Sequence, residues 1–156
     1  MAQKFKKPQS SSLVLNDEKV EKFINYIMKD GKKVTARKVF ADTMNEIKAS
    51  WHMNPKGVLF TAIENASPSI MVKSKRVWWS VYQVPVEVKT HRKMYFACTR
   101  LLDAARSKKG KPMHKKLAEE LLAAYSEQWS AVKKKEEVHK MADANKAFAY
   151  MAKYVK

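Results

Sequence analysis

The chain reads as a mainly α protein: a single domain of about six helices with one protruding β-hairpin arm near residues 69–88. Apolar residues recur at i, i+3, i+4 and i+7 along most of its 156 residues, the spacing of one helix face. That spacing gives way to a period of two in one stretch only. No linker and no internal repeat divides the chain, and its length suits one hydrophobic core. With 46% apolar residues the sequence is too hydrophobic for a disordered chain.

The first twelve residues are basic and then serine-rich: Lys4, Lys6 and Lys7, then Ser10, Ser11 and Ser12. They read as a flexible basic N-terminal arm ahead of a folded unit over 13–156. Val20, Phe23, Ile24, Ile27 and Met28 predict a first helix, with Asn16 as its N-cap and Gly31 as its stop. Ala36, Val39, Phe40, Met44 and Ile47 mark a second. Asn54-Pro55, a cap followed by proline at the first helical position, opens a third that carries Val58, Leu59, Ala62 and Ile63 and ends before Ser67-Pro68.

From 69 to 88 Ile70 and Val72, then Tyr82, Val84, Val86 and Val88, alternate with other side chains. Two strands joined near 77–80 form one hairpin. Pro85 suits a free edge and not the middle of a large sheet. Three more helices follow. The first has Met94, Ala97, Cys98, Leu101, Leu102 and Ala105 on one face, and the second has Met113, Leu117, Leu121, Ala124 and Tyr125. The last has Val138, Met141, Ala142, Asn145, Phe148 and Ala149, with Ser130 as N-cap.

Charge narrows the function. Thirty-two Lys and Arg against fifteen Asp and Glu give a net charge of +17, which repels itself in a compact state. Solubility needs only about 2–8 charges on a small domain, so a polyanionic partner explains the excess. No apolar run approaches the ~18 residues of a membrane span. The N-terminus has no apolar stretch of a secretory signal, so a cytosol-like compartment is expected, with an organellar matrix as the lesser alternative.

No catalytic, metal-binding or cofactor-binding constellation is found. The lone Cys98 excludes an internal disulfide and falls on an apolar helix face. His52, His91, His114 and His139 have no ligand spacing, and three glycines make no phosphate loop. Glu119-Glu120 and Glu136-Glu137 are adjacent on helices and read as solvated faces. The positive signals are basic. Between 71 and 100 there are seven basic residues and one acid, Glu87. Lys73 and Lys75 share a strand face and can follow a phosphate backbone. Lys133, Lys134 and Lys135 sit in or beside the first turn of the last helix, against its dipole unless an anion binds there.

Several segments resemble the bacterial small-subunit ribosomal protein seven family. They are Asp30-Gly31-Lys32-Lys33, Val72 to Val77, Tyr82-Gln83-Val84-Pro85-Val86-Glu87-Val88, and Val132 to Phe148, in the same order and with similar spacing from about 16 to 150. The resemblance implies a helical domain with an extended hairpin. It implies binding to the 3′ major domain of small-subunit ribosomal RNA and initiation of head assembly. It also implies a place near the exit-site tRNA and the mRNA exit path, beside small-subunit protein eleven and other head proteins. The RNA-contacting residues it points to are Lys4, Lys6, Lys7, Lys32, Lys33, Lys73, Lys75, Arg76, Arg92, Lys93, Arg100, Lys108, Lys109, Lys111, Lys133, Lys134 and Lys135, with His139, Lys140 and Lys146 behind them. A nucleoid-type DNA-bending protein is the alternative, since a basic helical body with a β-arm also suits DNA, but the arm tip lacks a proline wedge.

One departure stands out. The family pattern Arg-Val-Gly-Gly-Ser is here Arg76-Val77-Trp78-Trp79-Ser80, and Trp51 and Trp129 also fall where glycine is common. Trp78 and Trp79 at the tip could stack on RNA bases, at about 1–3 kcal/mol each. Alternatively all four tryptophans stand for UGA codons, which some bacterial lineages read as glycine. Stacking does not account for Trp51 and Trp129, which favours the codon reading.

Overall fold

The computed structural model describes residues 17–50, 54–127 and 130–154, with side chains for all of these except 130–134 and 154. Helix α1 (Glu18–Ile27) is opened by Asp17, whose carboxylate accepts the Lys19 N–H at 3.0 Å. Asn16, the cap expected from sequence, lies outside the described residues. The helix stops at Ile27, ahead of Gly31, where Met28 swings to an extended ψ of 138°; Asp30 and Gly31, both at positive φ (53° and 70°), then turn the chain into α2 (Lys33–Ala49). Helix α3 (Pro55–Ala66) begins as predicted, with Asn54 accepting the Gly57 N–H at 3.0 Å. Strands β1 (Ile70–Val77) and β2 (Ser80–Glu87) pair antiparallel across a two-residue tip, Trp78-Trp79.

Helices α4 (Thr90–Ser107), α5 (Met113–Tyr125) and α6 (Ser130–Ala144) follow, and then a 3-10 segment, η1 (Lys146–Tyr154). The last helix is therefore shorter than the apolar spacing suggested. Asn145 donates its side-chain amide back to Met141 O at 2.8 Å, satisfying a carbonyl at the helix end. The tighter winding that follows lays Phe148 against Tyr82 of β2, with ring centroids 5.1 Å apart.

Helix α5 packs against α2, α3 and α4, and buries Leu117, Leu121 and Ala124 in the middle of the core. Around them close Phe23 and Ile24 of α1, Phe40 and Ile47 of α2, Leu59 of α3, and Leu101 and Leu102 of α4. Phe23 and Phe40 meet edge to face at 6.1 Å. Four residues depart from the predicted faces. Met141, Ala149 and Tyr125 are exposed, and Glu120, expected on a solvated face, is fully buried. The reason for Glu120 is Lys108, whose ammonium lies 3.0 Å from Glu120 Oε2 and 3.8 Å from Glu119. Oε2 is off hydrogen-bond alignment, so the contact at that atom is an ion pair and not a directional bond. Cys98 is buried as expected, and burial pushes its thiol up to about 12.

Candidate nucleic-acid interface

The hairpin's pleat sorts its side chains. Val88 donates its N–H to Ser69 O at 2.9 Å, so Ser69 and Val88 form a hydrogen-bonded pair. Alternation along the ladder makes Val72 and Pro85 a non-hydrogen-bonded pair, and the N–H that proline lacks would have pointed off the free edge. Lys73 lies opposite Val84 and Lys75 opposite Tyr82, so both lysines stand on the face that carries the buried Val84 and the Tyr82–Phe148 contact. Their half-burial follows from that side. Arg76 stands on the opposite, exposed face with Ser74, and its Nε donates to Trp78 O at 3.2 Å.

At the tip Trp78 and Trp79 project into solvent, 78% and 85% exposed, with their rings edge to face at 5.6 Å. Only Trp78 has positive φ, 57°, as the first residue of a II′ hairpin turn requires. A cleft of about 420 Å³ separates Trp78 and Arg76 from Tyr150 of η1.

The base of the arm meets the start of α4. Lys73, Glu87, Lys89, His91 and Arg92 line a hollow of about 410 Å³ together with apolar strand residues. The N-cap of α4 is Lys89, no side chain caps its first amides, and its first turn has no acid. The same holds for α2, capped by Lys32, and for α5, capped by Pro112. Helix α1, by contrast, has Asp17, Glu18 and Glu21 at its start. Each exposed cation at a helix start opposes the dipole by about 0.3–1 kcal/mol. A phosphate in front of the same amides reverses that sign.

The remaining basic residues separate into distinct groups. Lys32, Lys109, Lys140 and Lys146 are exposed, as is Arg92, and Lys93 is half-buried. Lys33 lies 3.1 Å from Glu21, whose carboxyl it holds below the ordinary range by a hydrogen bond, with Arg37 adding to the effect. Arg100 is half-buried, burial lowers its pKa, and its Nη1 has no hydrogen-bond partner among the described residues. Lys111 pairs with Glu119.

Lys108 and Lys111 stand at the far end of α4 from the hairpin, about 27 Å along an 18-residue helix, so the arm and the α4–α5 loop are separate patches. Lys135 donates to Asn65 O at 2.9 Å, and His139 receives Ser69. Lys4, Lys6 and Lys7, the Lys133 and Lys134 side chains, and Trp51 and Trp129 lie outside the described residues. Lys89 and His91 line the hollow at the arm's base but were not among the expected contacts, although the run Lys89-Thr90-His91-Arg92-Lys93 at a helix start was the available signal.

A basic helical body, a charged two-stranded arm and several uncapped basic helix starts make up a polyanion-binding protein. Among the described residues no group of three or more His, Cys, Asp or Glu could hold a metal ion, and no helix is long and apolar enough to cross a membrane. The family model described as ribosomal protein S7p/S5e matches residues 2–146. The small ribosomal subunit protein uS7 of Pelagibacter ubique (strain HTCC1062) is 46% identical over 145 residues, covering 93% of each chain. Its counterpart from Thermotoga neapolitana is 44% identical over 137 residues, 88% of each chain. That of Rhodopirellula baltica is 48% identical over 133 residues, 84% of this chain and 85% of the relative. The chain belongs to the ribosomal protein S7 family, whose members are structural, non-enzymatic proteins of the small ribosomal subunit.

Proposed function

We propose that this protein binds the 3′ major domain of small-subunit ribosomal RNA in the ribosome, initiates folding of the subunit head there, and carries its arm towards the exit-site tRNA and the mRNA exit path, beside small-subunit protein eleven. The carrying observation is the hollow at the root of the arm, where Lys73, Lys89, His91 and Arg92 gather over the uncapped start of α4. There Lys73 of the strand meets the basic start of α4 around one hollow, in which Glu87 is the single acid. The arm residues Lys75 and Arg76 extend the same charge outward. Lys32, Lys109, Lys140 and Lys146 offer further phosphate contacts on the body, and the amino-terminal Lys4, Lys6 and Lys7 add more.

A transcript of the 3′ major domain, titrated with the full chain between about 50 and 200 mM salt, tests the reading. Each neutralised phosphate contributes about 0.7–0.9 to the slope of log affinity against log salt, so affinity falls by orders of magnitude over that range. A flat response overturns the electrostatic interface. Equal affinity for duplex DNA of the same length at every salt concentration would transfer the function to DNA architecture.

A further inference from the structure

Two side chains that the sequence offered to RNA turn inward. Lys135 and His139 stand one helical turn apart on α6, on the side that carries the buried Ala142. Lys135 Nζ donates to Asn65 O at 2.9 Å. The N–H and the hydroxyl of Ser69 both reach His139 Nε2, at 3.4 and 3.3 Å. Asn65 lies in the last turn of α3 and Ser69 immediately before β1, on either side of the turn from which the arm departs. Asn65 is itself anchored, because its side-chain amide donates to Ala124 O and Tyr125 O, at 3.0 and 3.3 Å, at the end of α5. The arm's main packing partners among the described elements are α6 and η1. The direction of the arm is therefore set by α6 and η1 together, and these two side chains tie α6 to the arm's root.

We propose that Lys135 and His139 are positioning residues: they clasp α6 to the root of the hairpin and hold the arm at the angle at which it meets RNA, without touching RNA themselves. The proposal rests on the RNA-binding reading above. The two possible roles of His139 need opposite chemistry at one atom. An Nε2 that accepts an amide N–H carries its lone pair there and its proton on Nδ1. A phosphate contact through the same atom needs Nε2 to donate. Glutamine places a carbonyl oxygen near that position and can replace the acceptor. Lysine supplies a cation and no acceptor.

The test uses the full chain with His139→Ala, His139→Gln and His139→Lys, a transcript of the 3′ major domain, and hydrogen exchange at the Ser69 amide. The expected result is that His139→Ala weakens RNA binding roughly three- to tenfold, the size usual for residues coupled through one structural unit. His139→Gln restores affinity and Ser69 protection, and His139→Lys restores neither. Rescue of affinity by His139→Lys and not by His139→Gln would assign His139 to a phosphate and overturn the clasp. A double-mutant cycle gives an independent check. In a Lys75→Ala/Arg76→Ala background, where the arm contributes less, the loss from His139→Ala shrinks. An undiminished loss also overturns the proposal. Should the wild-type chain not bind the transcript, the RNA reading falls and exchange alone judges the clasp. Protection at Ser69 that is lost in His139→Ala and regained in His139→Gln retains it, and a Ser69 amide already unprotected in the wild type ends it.

Discussion

Replacing Lys108 by methionine leaves the Glu120 carboxylate in the protein interior without the ammonium that lies 3.0 Å from it. Glu120 is fully buried on α5, beside Leu117 and Leu121, so water cannot take over that role. Removing one partner of a buried ion pair costs about 3–5 kcal/mol. The Lys108 side chain is 21% exposed, which screens part of the attraction and puts the expected loss near ~3 kcal/mol. For a domain of this size, each kcal/mol moves the melting temperature by about 2–4 °C, so Lys108→Met should melt roughly 6–12 °C lower. Urea unfolding followed by circular dichroism measures the free energy, and titration with ribosomal RNA measures the partner. A matched double variant, Lys108→Met with Glu120→Leu, removes both charges and should return to within about 1 kcal/mol of the wild type. The reasoning fails if Lys108→Met melts within 2 °C of the wild type, a threshold of roughly 1 kcal/mol or less, while RNA affinity drops. Lys108 would then belong to the RNA contacts and not to the core.

Glu21 has its carboxyl held low by Lys33 and Arg37, so the stability it contributes is present above the ordinary glutamate range and is lost as pH falls through its depressed folded value. Glu21→Gln should lower stability at neutral pH and flatten the acid limb, so that variant and wild type converge at low pH; an unaltered acid limb refutes the pairing. At the arm tip, Trp78→Gly should raise hairpin amide protection by about 1 kcal/mol, since glycine relieves the positive φ. Trp79→Gly, without that strain, should not. If the tryptophans are UGA codons read as glycine, the gene has UGA at codons 51, 78, 79 and 129, and the native protein is lighter by four Trp-to-Gly differences in intact mass. UGG at those codons leaves the strain at Trp78 to be explained by what it stacks on.

Much of the fold was legible because periodicity is a local property. The helix face of Val20, Phe23, Ile24 and Ile27 becomes core whatever it packs against. Asn54-Pro55 starts a helix by its own side chain and ring. The alternation about Pro85 specifies an edge strand before its partner is known. The excess of lysine and arginine likewise announces a polyanionic partner without any coordinates. The sequence by itself therefore determined the fold class, the placing of the arm and the kind of partner.

The tertiary structure decided which basic residues remain available to that partner, because a lysine carries the same charge in either setting. Lys108 stands in a run of basic residues, and only the approach of α5 to the end of α4 turns it towards Glu120. Lys135 closes the lysine run of α6, and only the fold brings Asn65, 70 positions away in the chain, within reach of it. Met141 keeps helical spacing yet lies exposed, because α6 ends at Ala144 and η1 turns to cover β2 instead. Lys73 and Lys75 were known to share a face, but that this face looks towards η1 depends on how the arm is seated. Those outcomes come from contacts between distant segments, whose geometry no local spacing encodes.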